Sequence, residues 1–209
     1  MTTARSIAVL LFPAVEEFDA LGAYLPLRKA AQQDPPQVRP LLVAADPVVT
    51  GASGIPLARE ASLAELLELD RAGDCVAVVV PGGAAADRAC RDPRLLDALA
   101  QLSPSTRLYA VCSGALLLAA AGRLTGRAAV HHRRRDDLRR WAPTVEITDG
   151  LMVDGPVTTI GGVITYSVKG VDIALRVLHD LAPDQLSGLV DRLEVMPSWW
   201  TSPLDGLTA

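Results

Sequence analysis

A chain of 209 residues, half of them hydrophobic and 21% charged, has room for one α/β domain with a full core and too little for two. Its formal net charge of -4 argues against a nucleic-acid partner, and no stretch approaches the ~20 apolar residues that cross a bilayer or reads as a secretion signal. Three cysteines without close spacing exclude a disulfide framework and a metal knuckle, so a reducing, cytoplasmic setting is expected.

Residues 7–12 form a compact apolar run of the kind buried on both faces of a sheet, and Pro13 stops it. A helix is expected over 17–31, with Phe18, Leu21, Leu25 and Leu27 in its apolar stripe and Pro26 kinking or shortening it. Val38–Ala44 reads as the second strand, and residues 46–58, rich in Gly, Pro, Ala and Val, fit short strands or a hairpin about residues 51–54. Residues 63–69 look like a short helix capped by Ser62. Cys75–Val80 is a central strand, ended by Pro81-Gly82-Gly83.

Helix signals resume over 92–102, with Asp92 as the cap and Pro93 in the first turn. A strand at 108–111 leads into a helix over 114–122, followed by a helix near 136–141 and strands near 145–148 and 157–160. A long helix over 171–181 closes a core of residues 5–182, and residues 183–209 read as a C-terminal appendage of one domain. Strands alternating with helices imply right-handed βαβ units, hence a three-layer α/β/α sandwich around a mainly parallel sheet.

Cys112 is the most informative residue. An apolar run ends on it, a Ser-Gly pair follows, and a helix begins at once. That order is the sulfur version of the strained strand-to-helix elbow of serine hydrolases. A thiol at a helix N-terminus is expected to have a lowered pKa. This context favours a functional thiol over a buried core residue, whereas Cys75 and Cys90 read as core or incidental surface.

Ligands of such sheets bind outside the carboxyl ends of the strands. Three loops fall there: residues 13–19, residues 81–85 and the Cys112 turn. Gly82 and Gly83 then offer backbone N–H groups for half of an oxyanion hole, with the Ser113 N–H as the other half. Glu16, Glu17 and Asp19 cluster at the start of the first helix, where capping explains one or two of them. Asp19, next to Phe18 and Leu21 in the loop facing Cys112, is the one expected to hold or pass a proton.

His131 and His132 lie downstream of the nucleophile helix, and either one fits an imidazole partner for the thiol or a structural histidine. The basic run Arg133-Arg134-Arg135 with Arg139 and Arg140 is interleaved with Asp136 and Asp137 and reads as a solvated helix face. No histidine has a partner at metal-ligand spacing, and no phosphate-binding loop is present.

These residues resemble the DJ-1/PfpI (ThiJ) superfamily, within the flavodoxin-like, class I glutamine amidotransferase-like fold. The matching segments, in order, are residues 7–13, 18–22, 79–83, 110–122, 124–131, 157–162 and 171–175. The pattern is most similar to the isonitrile hydratase-like branch, with an Asp after the first strand and a small hydroxyl residue after the nucleophile. For that branch the resemblance implies cofactor-free hydration of an isonitrile to an N-substituted formamide. Cys112 would act on the terminal carbon, Asp19 would handle the proton, and backbone N–H groups near Gly83 and Ser113 would stabilise charge.

A small-molecule substrate and a homodimer are expected, with no membrane or nucleic-acid partner. The superfamily also holds glyoxalase III-like enzymes acting on methylglyoxal, and non-enzymatic ligand or redox sensors, as alternatives. The chain departs from the branch pattern at Ala23, Ala129 and His132 and in its longer segment between Gly162 and Asp172. That segment carries Tyr166, expected at the pocket, and Lys169; Trp199 and Trp200 suggest a dimer contact or a lid.

Overall fold

The computed structural model describes residues 4–162 and 168–195. In chain order, β1 (Arg5–Leu11) leads to α1 (Glu17–Ala30), β2 (Val38–Ala44), β3 (Val48–Thr50), β4 (Pro56–Ala58), β5 (Ala61–Ser62) and α2 (Leu63–Arg71). Then come β6 (Cys75–Val80), α3 (Ala86–Ala89), α4 (Pro93–Gln101), β7 (Arg107–Val111) and α5 (Gly114–Ala120). The chain continues through β8 (Arg127–Ala129), a 3-10 turn (His132–Arg134), α6 (Arg135–Trp141), β9 (Glu146–Thr148), β10 (Gly150–Asp154) and β11 (Val157–Gly161). Helices α7 (Lys169–Leu181) and α8 (Pro183–Leu193) follow.

Seven strands make the main sheet in the order β10-β11-β7-β6-β1-β2-β5. Every neighbouring pair is parallel except β10 with β11. The central strands β1, β6 and β7 are apolar and buried almost throughout, as strands covered on both faces must be. Helices α1, α7 and α8 pack together on one side, while α2 packs on α4 and α5 touches α3, α4 and α6 on the other. The result is a flavodoxin-like α/β/α sandwich.

Local chemistry explains most boundaries. The Ser62 side chain accepts the Glu65 N–H while Glu65 accepts the Ser62 N–H, a capping box that starts α2. Asp92 caps α4 with Pro93 in its first turn. Residues 48–58 form the expected hairpin, β3 against β4. Helix α5 is apolar on every side and buried from Gly114 to Ala119, so it lies inside the core instead of over it.

Helix α1 ends at Ala30, close to its expected end, with Pro26 inside it; the ring is buried and the packing of α1 on α7 and β2 offsets one lost hydrogen bond. Two features depart from expectation. The antiparallel edge strand β10 has no apolar alternation and takes its strand character from pairing with β11. Pro183 opens α8, whose Leu186, Leu189 and Val190 are buried in the common core against α1 and α7, so residues 183–193 are packed structure. Tyr166, Trp199 and Trp200 lie outside the described residues. Among the described residues, no helix is long and apolar enough to cross a membrane.

Candidate active site

Cys112 sits at the elbow between β7 and α5 with φ of 60°, a left-handed conformation that side-chain-bearing residues avoid. The surrounding backbone holds it there. Its N–H donates to Ile160 O at 2.9 Å, and its carbonyl accepts the His131 N–H at 3.3 Å. A side chain at Gly114 would collide with the Val80 carbonyl, so glycine lets α5 start this close to the end of β6.

The three loops expected at the carboxyl edge do meet. Glu16 N–H donates to Gly82 O at 2.9 Å, and Val15 bridges Gly83. The Gly82 N–H donates to Asp19 Oδ2 at 3.1 Å, and the Gly83 N–H donates to Ser113 Oγ at 3.0 Å. The Ser113 hydroxyl returns a bond to Gly83 O at 3.2 Å, which ties the Pro-Gly-Gly turn to the elbow. Gly82 sits at the centre: a Cβ there would be 2.8 Å from Asp19 Oδ2, 2.8 Å from Ser113 Oγ and 2.9 Å from Cys112 Cβ.

Asp19 is buried, and the loss of water raises its pKa from 3.8 to about 6 against the opposing pull of the Gly82 N–H. Its carboxylate and the Cys112 side chain lie on either side of Gly82, close enough for each to act on the other's ionisation. Cys112 itself is pushed up to about 11, first by burial and then by the Asp19 charge, outweighing the Ser113 N–H and Lys169. The lowered thiol pKa expected from the helix N-terminus is therefore not realised. Helix α5 is a short, buried segment, and the Asp19 charge acts on the sulfur more strongly than that of Lys169. Cys75 and Cys90 are buried and pushed up to about 11 and about 12, as core thiols.

A cavity of about 230 Å³ opens beside the thiol, lined by Glu16, Gly83, Ala84, Cys112, Ser113, His131 and Arg134. The acidic cluster divides its duties. Glu17 is buried and accepts Ser53 N–H at 2.8 Å, anchoring the β3–β4 hairpin; Glu16 lines the cavity; Asp19 meets Cys112. Of the two histidines, His131 lines the cavity, and His132 is exposed with its ring 4.4 Å from that of His131. Lys169, at the start of α7, donates to Gly162 O at 3.0 Å and lowers the pKa of both Asp19 and Cys112.

The sequence pattern places Arg134 on a solvated helix face. Instead it is only 19% exposed, paired with Asp87 and Asp137, and turned toward the cavity, whereas Arg139 and Arg140 stay in exposed pairs. The available signal was its position three residues after His131, on the same loop. Among the described residues, no group of His, Cys, Asp and Glu is arranged to hold a metal ion.

Comparison with known proteins bears on the whole chain. An isonitrile hydratase of Pseudomonas putida is 31% identical over 198 residues, covering 93% of this chain and 80% of that protein. DJ-1beta of Drosophila melanogaster superposes with a TM-score of 0.76 at 20% identity, over 93% of this chain and 100% of that one. A THiJ/PfpI family protein from Pseudomonas syringae gives 0.75 at 22% identity, over 98% and 79% of the two chains. At such identities the structural likeness speaks for the fold alone. The sequence model of the DJ-1/PfpI family matches residues 5–173, and with the elbow, the sheet order and the relative above, the chain belongs to the DJ-1/PfpI family.

Proposed function

We propose that the protein hydrates a small isonitrile to the N-substituted formamide, with Cys112 as the nucleophile and Asp19 as the proton carrier. The observation that carries this reading is the gathering of the Cys112 side chain and the buried Asp19 carboxyl around Gly82 beside a small cavity, with burial and the Asp19 charge raising the thiol pKa. An isonitrile has to receive a nucleophile and a proton on one and the same carbon. A thiolate supplies the first alone, whereas a thiol next to a carboxylate near neutral pKa supplies both.

In the first step the S–C bond forms while the thiol proton passes through Asp19 to the same carbon. This leaves a thioimidate, R–N=CH–S–Cys112, with Asp19 again a carboxylate. Water then adds: Asp19 takes its proton as the oxygen attacks carbon, the C=N π pair moves to nitrogen, and Asp19 delivers the proton there. The tetrahedral adduct collapses as the C–S bond breaks, and the hydroxyl proton returns through Asp19 to sulfur. One water is consumed and nothing is oxidised or reduced.

The similarity to an isonitrile hydratase across nearly all of the chain supports the same assignment. The test is turnover of cyclohexyl isocyanide by the purified full chain, followed by loss of the isonitrile stretching band and growth of the formyl proton signal. Turnover that disappears in Cys112→Ala is the expected result. A wild-type protein that leaves alkyl and aryl isonitriles intact while converting methylglyoxal would overturn the assignment.

A further inference from the structure

We infer that His131 donates a hydrogen bond through Nε2–H to the oxygen that water brings to the substrate carbon, and is not a base toward Cys112; this rests on the isonitrile reading above. The Arg133 backbone N–H points at His131 Nδ1 at 3.2 Å. A backbone amide can only donate, so Nδ1 must carry a lone pair, and a neutral ring then holds its single proton on Nε2.

The surroundings favour the neutral ring. Burial comes first, followed by the positive charge of His132 when protonated and of Lys169, Arg133 and Arg134, and together they hold the imidazolium below its ordinary range. The carboxylates facing this region are Glu16, on the cavity wall, and Asp19, beside Gly82; negative charge there would favour the imidazolium, yet the direction stays downward. The His131 N–H to Cys112 O bond fixes the residue beside the nucleophile, and its side chain lines the cavity.

The donors that sequence alone assigns to an oxyanion hole are already engaged. Gly82 N–H serves Asp19, Gly83 N–H serves Ser113 Oγ, and the Ser113 N–H faces the Cys112 sulfur. Arg134 is held by Asp87 and Asp137. On the cavity wall beside Cys112, a neutral His131 ring presents its Nε2–H to the charge that develops on oxygen as the adduct collapses. Removing one such donor commonly lowers kcat by about 10²–10³-fold.

The experiment is imidazole ¹⁵N NMR of the full chain at neutral pH, with His131 assigned through His131→Gln and N-cyclohexylformamide as the probe. A protonated Nε2, an unprotonated Nδ1 and an Nε2–H resonance that moves as the formamide saturates are expected. A protonated Nδ1, an imidazolium, or an Nε2–H indifferent to saturating formamide would overturn the inference.

In turnover, His131→Leu should lose about 10²-fold in kcat with its acid limb unmoved, and His131→Gln, which keeps an N–H donor, should recover most of it. Wild-type kinetics in His131→Leu would also refute the role. Absence of isonitrile turnover in the wild type would defeat the reaction assignment separately, leaving the tautomer and the formamide response to decide the donor.

Discussion

Gly82 and Asp19, 63 positions apart in the chain, meet through a 3.1 Å hydrogen bond from the Gly82 N–H to the Asp19 carboxylate. The contact holds the Asp19 carboxyl against the turn that ends β6, with no space for a side chain at Gly82. Gly82→Ala should therefore displace Asp19, Ser113 or Cys112. The expected cost is about 1–3 kcal/mol of stability, as for other overpacked sites, with a larger proportional loss of turnover. Urea denaturation beside isonitrile kinetics checks both; unchanged kinetics would mean that Asp19 is not positioned through this contact.

Asp19 gives a pH signature with a definite sign. Its folded pKa is raised from 3.8 to about 6, so ionising it costs the folded state more than the unfolded one. The stability it contributes is complete below the unfolded value and is lost as pH climbs through about 6. Asp19→Asn removes that penalty and keeps an acceptor for Gly82. At neutral pH it should stabilise by up to ~3 kcal/mol, the difference vanishing as pH falls toward the unfolded pKa. Turnover by the wild type should fall on the acid side of about 6 as the carboxylate protonates, and Asp19→Asn should be slow at every pH.

Cys112 stores backbone strain that glycine would release. Cys112→Gly and Cys112→Ala should both lose turnover. With φ at 60°, the glycine variant should be the more stable of the two by about 1 kcal/mol. In a chain of this size that is a Tm difference of about 2–4 °C. Equal melting temperatures would show that the elbow relaxes in solution.

Ser113 is placed to lock two loops together. Ser113→Ala leaves the Gly83 N–H without its acceptor, which should cost about 1–3 kcal/mol. Thermal unfolding checks the cost, and turnover should fall as the Pro-Gly-Gly turn loosens. Loss of turnover at full stability would instead assign the hydroxyl a direct part in the chemistry.

Ser62 supplies a comparison far from the chemistry. Ser62→Ala breaks the capping box of α2 and should cost about 1 kcal/mol while kcat stays at the wild-type value.

Much of the architecture was written in local patterns. Val38–Ala44 and Cys75–Val80 form strands with the expected bounds; Cys75–Val80 is an uninterrupted apolar run that sheds water as a doubly covered strand, and Val38–Ala44 does the same through its apolar half, residues 41–44. The Ser62 and Asp92 caps were legible because each rests on a hydrogen bond to an N–H a few residues away. Strand β10 was not legible. Its residues are half-buried along its length, and its extension follows from pairing with β11 and packing on β8. Nor was the inward turn of Arg134, whose partner Asp87 lies on a different element, the loop and short helix after β6.

By itself the sequence determined the alternation of strand and helix, the elbow at Cys112, and the carboxyl edge as the place where Asp19, Gly82, Gly83 and Ser113 gather. These follow from periodicity, turn chemistry and the handedness of βαβ units, which are properties of short stretches of chain. Tertiary structure decided the protonation of the site. Burial and the neighbouring Asp19 charge keep Cys112 a thiol, and the Arg133 N–H sets the tautomer of His131. Those outcomes depend on exclusion of water and on charges brought together across the fold, and neither is encoded in the spacing of residues along the chain.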